Sequence, residues 1–83
     1  MSARKTWERI LGGSRNIAFA DFQALLRGFG FEHKRTKGSH AIWAHHRVPR
    51  PLVIQPRGGQ VKPYQVGQLI SVVEEYGLSL EQD

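Results

Sequence analysis

Residues 31–46, FEHKRTKGSHAIWAHH, decide how this chain folds. Two runs with strand-like alternation, 31–36 and 39–46, flank Lys37-Gly38. A glycine in a tight loop can take positive φ, so Lys37-Gly38 is expected to be the turn of a β-hairpin. Thr36 then pairs with Ser39, and Arg35 lies opposite His40. Alternation puts Phe31, His33, Arg35, His40, Ile42 and Ala44 on one face and Glu32, Lys34, Thr36, Ser39, Ala41 and Trp43 on the other. The first set holds Phe31 and Ile42 and is expected to face the core. His40 would stand at the core-side margin near the turn, and Trp43 on the open face.

Working outward, the segments on either side read as helix, helix before the hairpin and strand, helix after it. Residues 4–11 predict a short helix with Trp7, Ile10 and Leu11 on one stripe, stopped by Gly12-Gly13. Residues 19–28 predict a second, because Phe22, Leu25, Leu26 and Phe29 follow helical spacing. Asp21 sits near its start, where a carboxylate suits the helix dipole. A third strand is expected at 51–55, broken by Pro56-Arg57-Gly58-Gly59-Gln60. Pro63 fits the first turn of a helix over 62–76, with Val66, Leu69, Ile70 and Val73 as its stripe and Gly77 as its stop. Residues 79–83 form a polar tail with room for one helical turn. Short connections between strands imply an antiparallel meander covered on one face by two helices. The fold class is therefore α+β, an α-β-β-β-α sandwich in the order of double-stranded-RNA-binding domains, with an extra N-terminal helix.

Composition narrows the function classes. The chain has 83 residues, enough for one small domain. It has no cysteine, which excludes disulfides and thiolate zinc sites. No apolar run approaches a membrane span, and the start carries no signal core, so a soluble cytoplasmic protein is expected. The net charge is +5, and its distribution matters more than its size. Residues 33–62 hold Lys34, Arg35, Lys37, Arg47, Arg50, Arg57, Lys62 and all four histidines, with no Asp or Glu. Such a middle suits a phosphate backbone or an acidic partner.

Within that middle, His40 follows a glycine turn among cations. Imidazole exchanges a proton near neutral pH, so His40 can act as general base or acid, with Arg35, Lys37 or Lys62 stabilising phosphoryl charge. A strand-end histidine that merely bonds its turn accounts for the same residues. Adjacent His45-His46 suggest a metal, but neighbouring strand residues point apart and no acid lies nearby, so no metal site is expected and the pair is read as capping a strand end or contacting phosphate. Trp43 could stack on a base or pack within the sheet, under Trp7 for example, and packing is the reading preferred. Lys62 opens a helix against the dipole preference, which suits a bound phosphate.

The run from Phe22 to Phe31, the Lys37-Gly38-Ser39-His40 turn, Leu52-Val53-Ile54-Gln55-Pro56 and the helix opening at Lys62-Pro63 together resemble the HicA family of toxins from type II toxin–antitoxin systems. The resemblance covers roughly residues 19–80, leaving 1–18 as an N-terminal helical extension to a domain over 19–83. It implies a ribosome-independent endoribonuclease that cleaves messenger RNA and is silenced by a HicB-like antitoxin; since RNA carries its own 2′-hydroxyl nucleophile, the chemistry calls for no cofactor or metal. It implies His40 as the catalytic residue, with Gly38 shaping the turn. Lys34, Arg35, Lys37, Gly38, Ser39 and Lys62 are the expected RNA contacts. Two other classes explain the basic middle: a non-catalytic RNA- or DNA-binding module, and a protein-interaction domain for an acidic partner.

Overall fold

The computed structural model describes residues 2–81. Its elements are α1 (Ala3–Leu11), α2 (Phe19–Gly28), β1 (Glu32–Lys37), β2 (His40–Ala44), β3 (Leu52–Ile54), β4 (Pro56–Arg57), β5 (Gln60–Val61) and α3 (Pro63–Tyr76). The first three strands form an antiparallel sheet in the order β1-β2-β3. Phe22, Leu25, Leu26 and Phe29 of the α2 region, Val66 and Leu69 of α3, and Trp43 and Ile54 of the sheet are buried in one core. The molecule is thus the expected α+β sandwich with α1 added.

The hairpin departs from expectation in its turn and its facing. The loop is Gly38-Ser39, not Lys37-Gly38, and Lys37 pairs with His40. Gly38 takes φ +61° at the first loop position, a conformation glycine adopts without the Cβ penalty. A bulge at Lys34 lets His33 face Trp43 while Arg35 faces Ile42. Uninterrupted alternation would keep Phe31 and Ile42 on one side. The extra residue separates them, so Phe31 turns inward with Trp43 while Arg35, Lys37, His40 and Ile42 turn outward. Burial of the large indole settles the facing: Trp43 is fully buried and pairs across the sheet with Leu52, as Ala41 does with Ile54. His40 is consequently exposed rather than at a core margin.

α1 joins the same core. Ala3, Thr6 and Ile10 are its buried set, whereas Leu11, expected on the stripe, is 63% exposed. Trp7 meets Phe29 edge-on at 4.9 Å rather than covering Trp43. The Ser2 hydroxyl caps α1 by accepting from the Lys5 N–H, and Arg15 donates to the Ile10 carbonyl at the other end.

The segment expected only to break the sheet builds a second one, the β4–β5 ribbon. Ala18 at the start of α2 offers no side-chain cap, and the Gly59 carbonyl accepts the Phe19 N–H instead. Val61 donates to Ile17, and Ala18 bridges to Gln60, so the ribbon fastens α2 to the start of α3. Beyond Gly77, residues 78–81 run as irregular chain without the expected helical turn, and the Glu81 N–H bonds the Gly28 carbonyl at 2.6 Å. Residues 82 and 83, the rest of that expected tail, lie outside the described residues.

Candidate functional site

The Gly38-Ser39 loop delivers His40 to the first position of β2. Its cross-strand partner is Lys37, whose Cβ stands about 5 Å away in such a pair. Arg35 shares that outward face two residues along β1. Ser39 is held from the third strand's end: the Gln55 amide donates to its hydroxyl at 3.1 Å. Gln55 thereby ties the loop before His40 to the chain leaving β3. Sequence reading missed Gln55, because only the antiparallel pairing of β3 with β2 brings it there.

His40 forms one wall of an open groove of about 810 Å³ between the β3 edge and α3. Val53 and Gln55 line the sheet side, and Tyr64, Gln68 and Ser71 line the helix side. Gln65 sets the spacing. It is 2% exposed, and its amide donates to the Val53 carbonyl at 3.2 Å, which docks α3 on the free edge of β3. Its own oxygen is buried without a partner. These helix positions were legible only as the polar side of α3.

The other expected contacts are dispersed. Lys34 sits at the bulge and pairs with Glu32 at 2.7 Å, remote from the turn. The hydrogen bond and charge of Lys34 hold the Glu32 carboxyl below its ordinary pKa. Lys62 is the half-buried N-cap of α3, makes no side-chain cap bond, and lies just before the groove-lining Tyr64. Trp43 cannot stack on a base: it is fully buried, with His33 and the Arg27 guanidinium each 5.1 Å from its ring.

For His45 and His46 the argument from strand alternation fails, while the strand-end role read for them holds for His45. β2 ends at Ala44, so their side chains do not alternate, and their rings stack at 4.7 Å. His45 is a buried strand-end brace. Its Nε2–H donates to the Phe29 carbonyl, and Nδ1 accepts the Arg47 N–H, both at 3.0 Å. Those partners assign a neutral ring protonated on Nε2. Among the described residues no three His, Asp or Glu converge as metal ligands, and no helix is long and apolar enough to cross a membrane.

The outward face thus gathers an exposed histidine, two cations and a neutral groove, built on the α-β-β-β-α core. No significant match was found among curated proteins or solved structures. Residues 19–77, from the start of α2 to the residue ending α3, match the family described as HicA toxin of bacterial toxin-antitoxin. With most of its length covered by that match, the chain belongs to the HicA toxin family, the toxin half of a toxin–antitoxin pair whose other member is an antitoxin.

Proposed function

We propose that this toxin is an endoribonuclease that cleaves messenger RNA at His40 without a metal ion, and that a HicB-like antitoxin silences it. One observation carries the reading: His40 is exposed at the turn end of the hairpin, beside Lys37 and at the rim of a groove. RNA supplies its own nucleophile. Neutral His40 takes the proton of a 2′-hydroxyl as that oxygen bonds to the adjacent phosphorus. The bond from phosphorus to the 5′-oxygen breaks, and the leaving oxygen takes a proton from solvent. The products are a 2′,3′-cyclic phosphate and a 5′-hydroxyl. Lys37 and Arg35 stabilise charge on the phosphoryl oxygens, and Gly38 and Ser39 hold the loop against the backbone. Lys62 serves at a distance, guiding the strand along α3, and Lys34 adds to the field rather than to the site.

General-base help is worth about 10²–10⁴-fold. His40→Ala is therefore expected to abolish growth inhibition and RNA cleavage while leaving circular dichroism and melting unchanged, since the side chain is exposed. Cleavage by the wild type should persist in a chelator and stop when the cleaved nucleotide is 2′-deoxy. Wild-type cleavage rates in a folded His40→Ala protein would overturn the assignment.

A further inference from the structure

The surfaces on the two sides of His40 differ in chemistry. The hairpin side presents Arg35 and Lys37. Besides His40, the groove side is lined only by apolar, amide, hydroxyl and glycine groups, with neither cation nor carboxylate. Tyr64 is 59% exposed and Val53 43%, and both line this groove. Leu11 is the only other large apolar side chain so exposed among the described residues. Tyr64, Gln68 and Ser71 fall at i, i+4, i+7, one stripe of α3 facing the groove. A tyrosine there completes no core. It presents a flat ring and an aliphatic neighbour to solvent, with amides within the same concavity.

A nucleotide has the same division, an anionic phosphate and a flat, uncharged base. Attack by the 2′-oxygen opposite the leaving oxygen requires a nucleotide lifted out of the regular stack. Single-stranded RNA is read in that state, its splayed bases stacking on aromatic rings and bonding to side chains along their edges. We propose that the groove is a nucleobase subsite. The base adjoining the scissile phosphate stacks on Tyr64 and lies against Val53, and the Gln68 amide, with Gln55 or Ser71, bonds its edge. The volume of about 810 Å³ is ample for one nucleotide. Stacking accepts any base, so Tyr64 supplies affinity and the amides supply preference. Because phosphate and base have separate seats on either side of His40, the strand has one direction of approach. This proposal rests on the nuclease reading.

The test uses oligoribonucleotides carrying one abasic residue on either side of the cleaved bond. On one side, loss of the base should lower the wild-type kcat/KM about 10- to 100-fold, the scale of one stacked base. Tyr64→Ala should show a similar loss on intact RNA and little further loss on the abasic RNA. Tyr64→Phe should restore cleavage, and Gln68→Ala should alter base preference. A binding arm measures Kd for the same RNAs with His40→Ala protein, where the abasic site should weaken binding to a like degree. Unchanged rate and preference in Tyr64→Ala would overturn the subsite, as would a loss confined to antitoxin binding. Absence of cleavage by the wild type would defeat the nuclease reading alone. The binding arm would still decide the groove, and equal Kd for intact and abasic RNA would overturn it.

Discussion

Gly30 carries the chain from α2 toward β1 at φ +95°, outside the usual range of any residue with a Cβ. A Cβ there would meet Glu81 Oε2 at 2.7 Å and His45 Nε2 at 3.1 Å. The glutamate can swing aside. The imidazole cannot, because both its nitrogens are bonded. Gly30→Ala is expected to cost about 1–3 kcal/mol, read as a lower melting temperature. Gly38→Ala has only backbone strain to bear, with open space around its Cβ, and should cost less. Equal melting temperatures for the two variants would show that His45 yields. His40 itself was legible from its turn and its cations. Its exposure was not, because nothing in the residues marks Lys34 as a bulge. Read through without it, alternation assigns Phe31 and Ile42 to one face and turns the sheet over.

At the scale of elements, α1 lies outside the matched residues yet inside the core. Its buried positions 3, 6 and 10 follow helical spacing, but Ala3 and Thr6 do not announce a core-facing stripe. That is why Leu11 was expected inward. Ile10→Ala should cost about 2–4 kcal/mol, because a fully enclosed side chain leaves a cavity. Leu11→Ala should change stability little. Thermal unfolding of both decides: matching curves would mean that α1 is a loosely attached arm. α2 and α3 were readable almost to the residue. Each has an apolar stripe at helical spacing and glycine punctuation, signals that depend on neighbours in sequence. The β4–β5 ribbon was not readable, because its strands are short and what holds it in place is the distant start of α2.

Across the whole molecule, the groove combines residues from the sheet and from the helix that follows it. His40 and Val53 belong to the sheet, Gln55 to the chain leaving it, and Tyr64, Gln68 and Ser71 to α3. The residue types were visible in the chain. Their convergence was not, since it depends on Gln65 docking a helix on a strand edge. The ribbon adds a further consequence. Bonds from Phe19 to Gly59 and from Val61 to Ile17 close the chain into a ring that encloses α2 and the entire sheet. α3 lies outside that ring, held by packing, by Gln65 and by the Arg47 guanidinium, which donates to the Tyr76 carbonyl at its end. Opening can therefore proceed in two stages, with α3 lifting while the ring persists. Amide hydrogen exchange should show Phe19 and Val61 protected as long as the sheet, and the amides of α3 released together at a lower free energy. A single common opening energy for both sets would refute this. If the two stages separate, detachment of one helix erases half of the groove while His40 stays mounted on an intact hairpin.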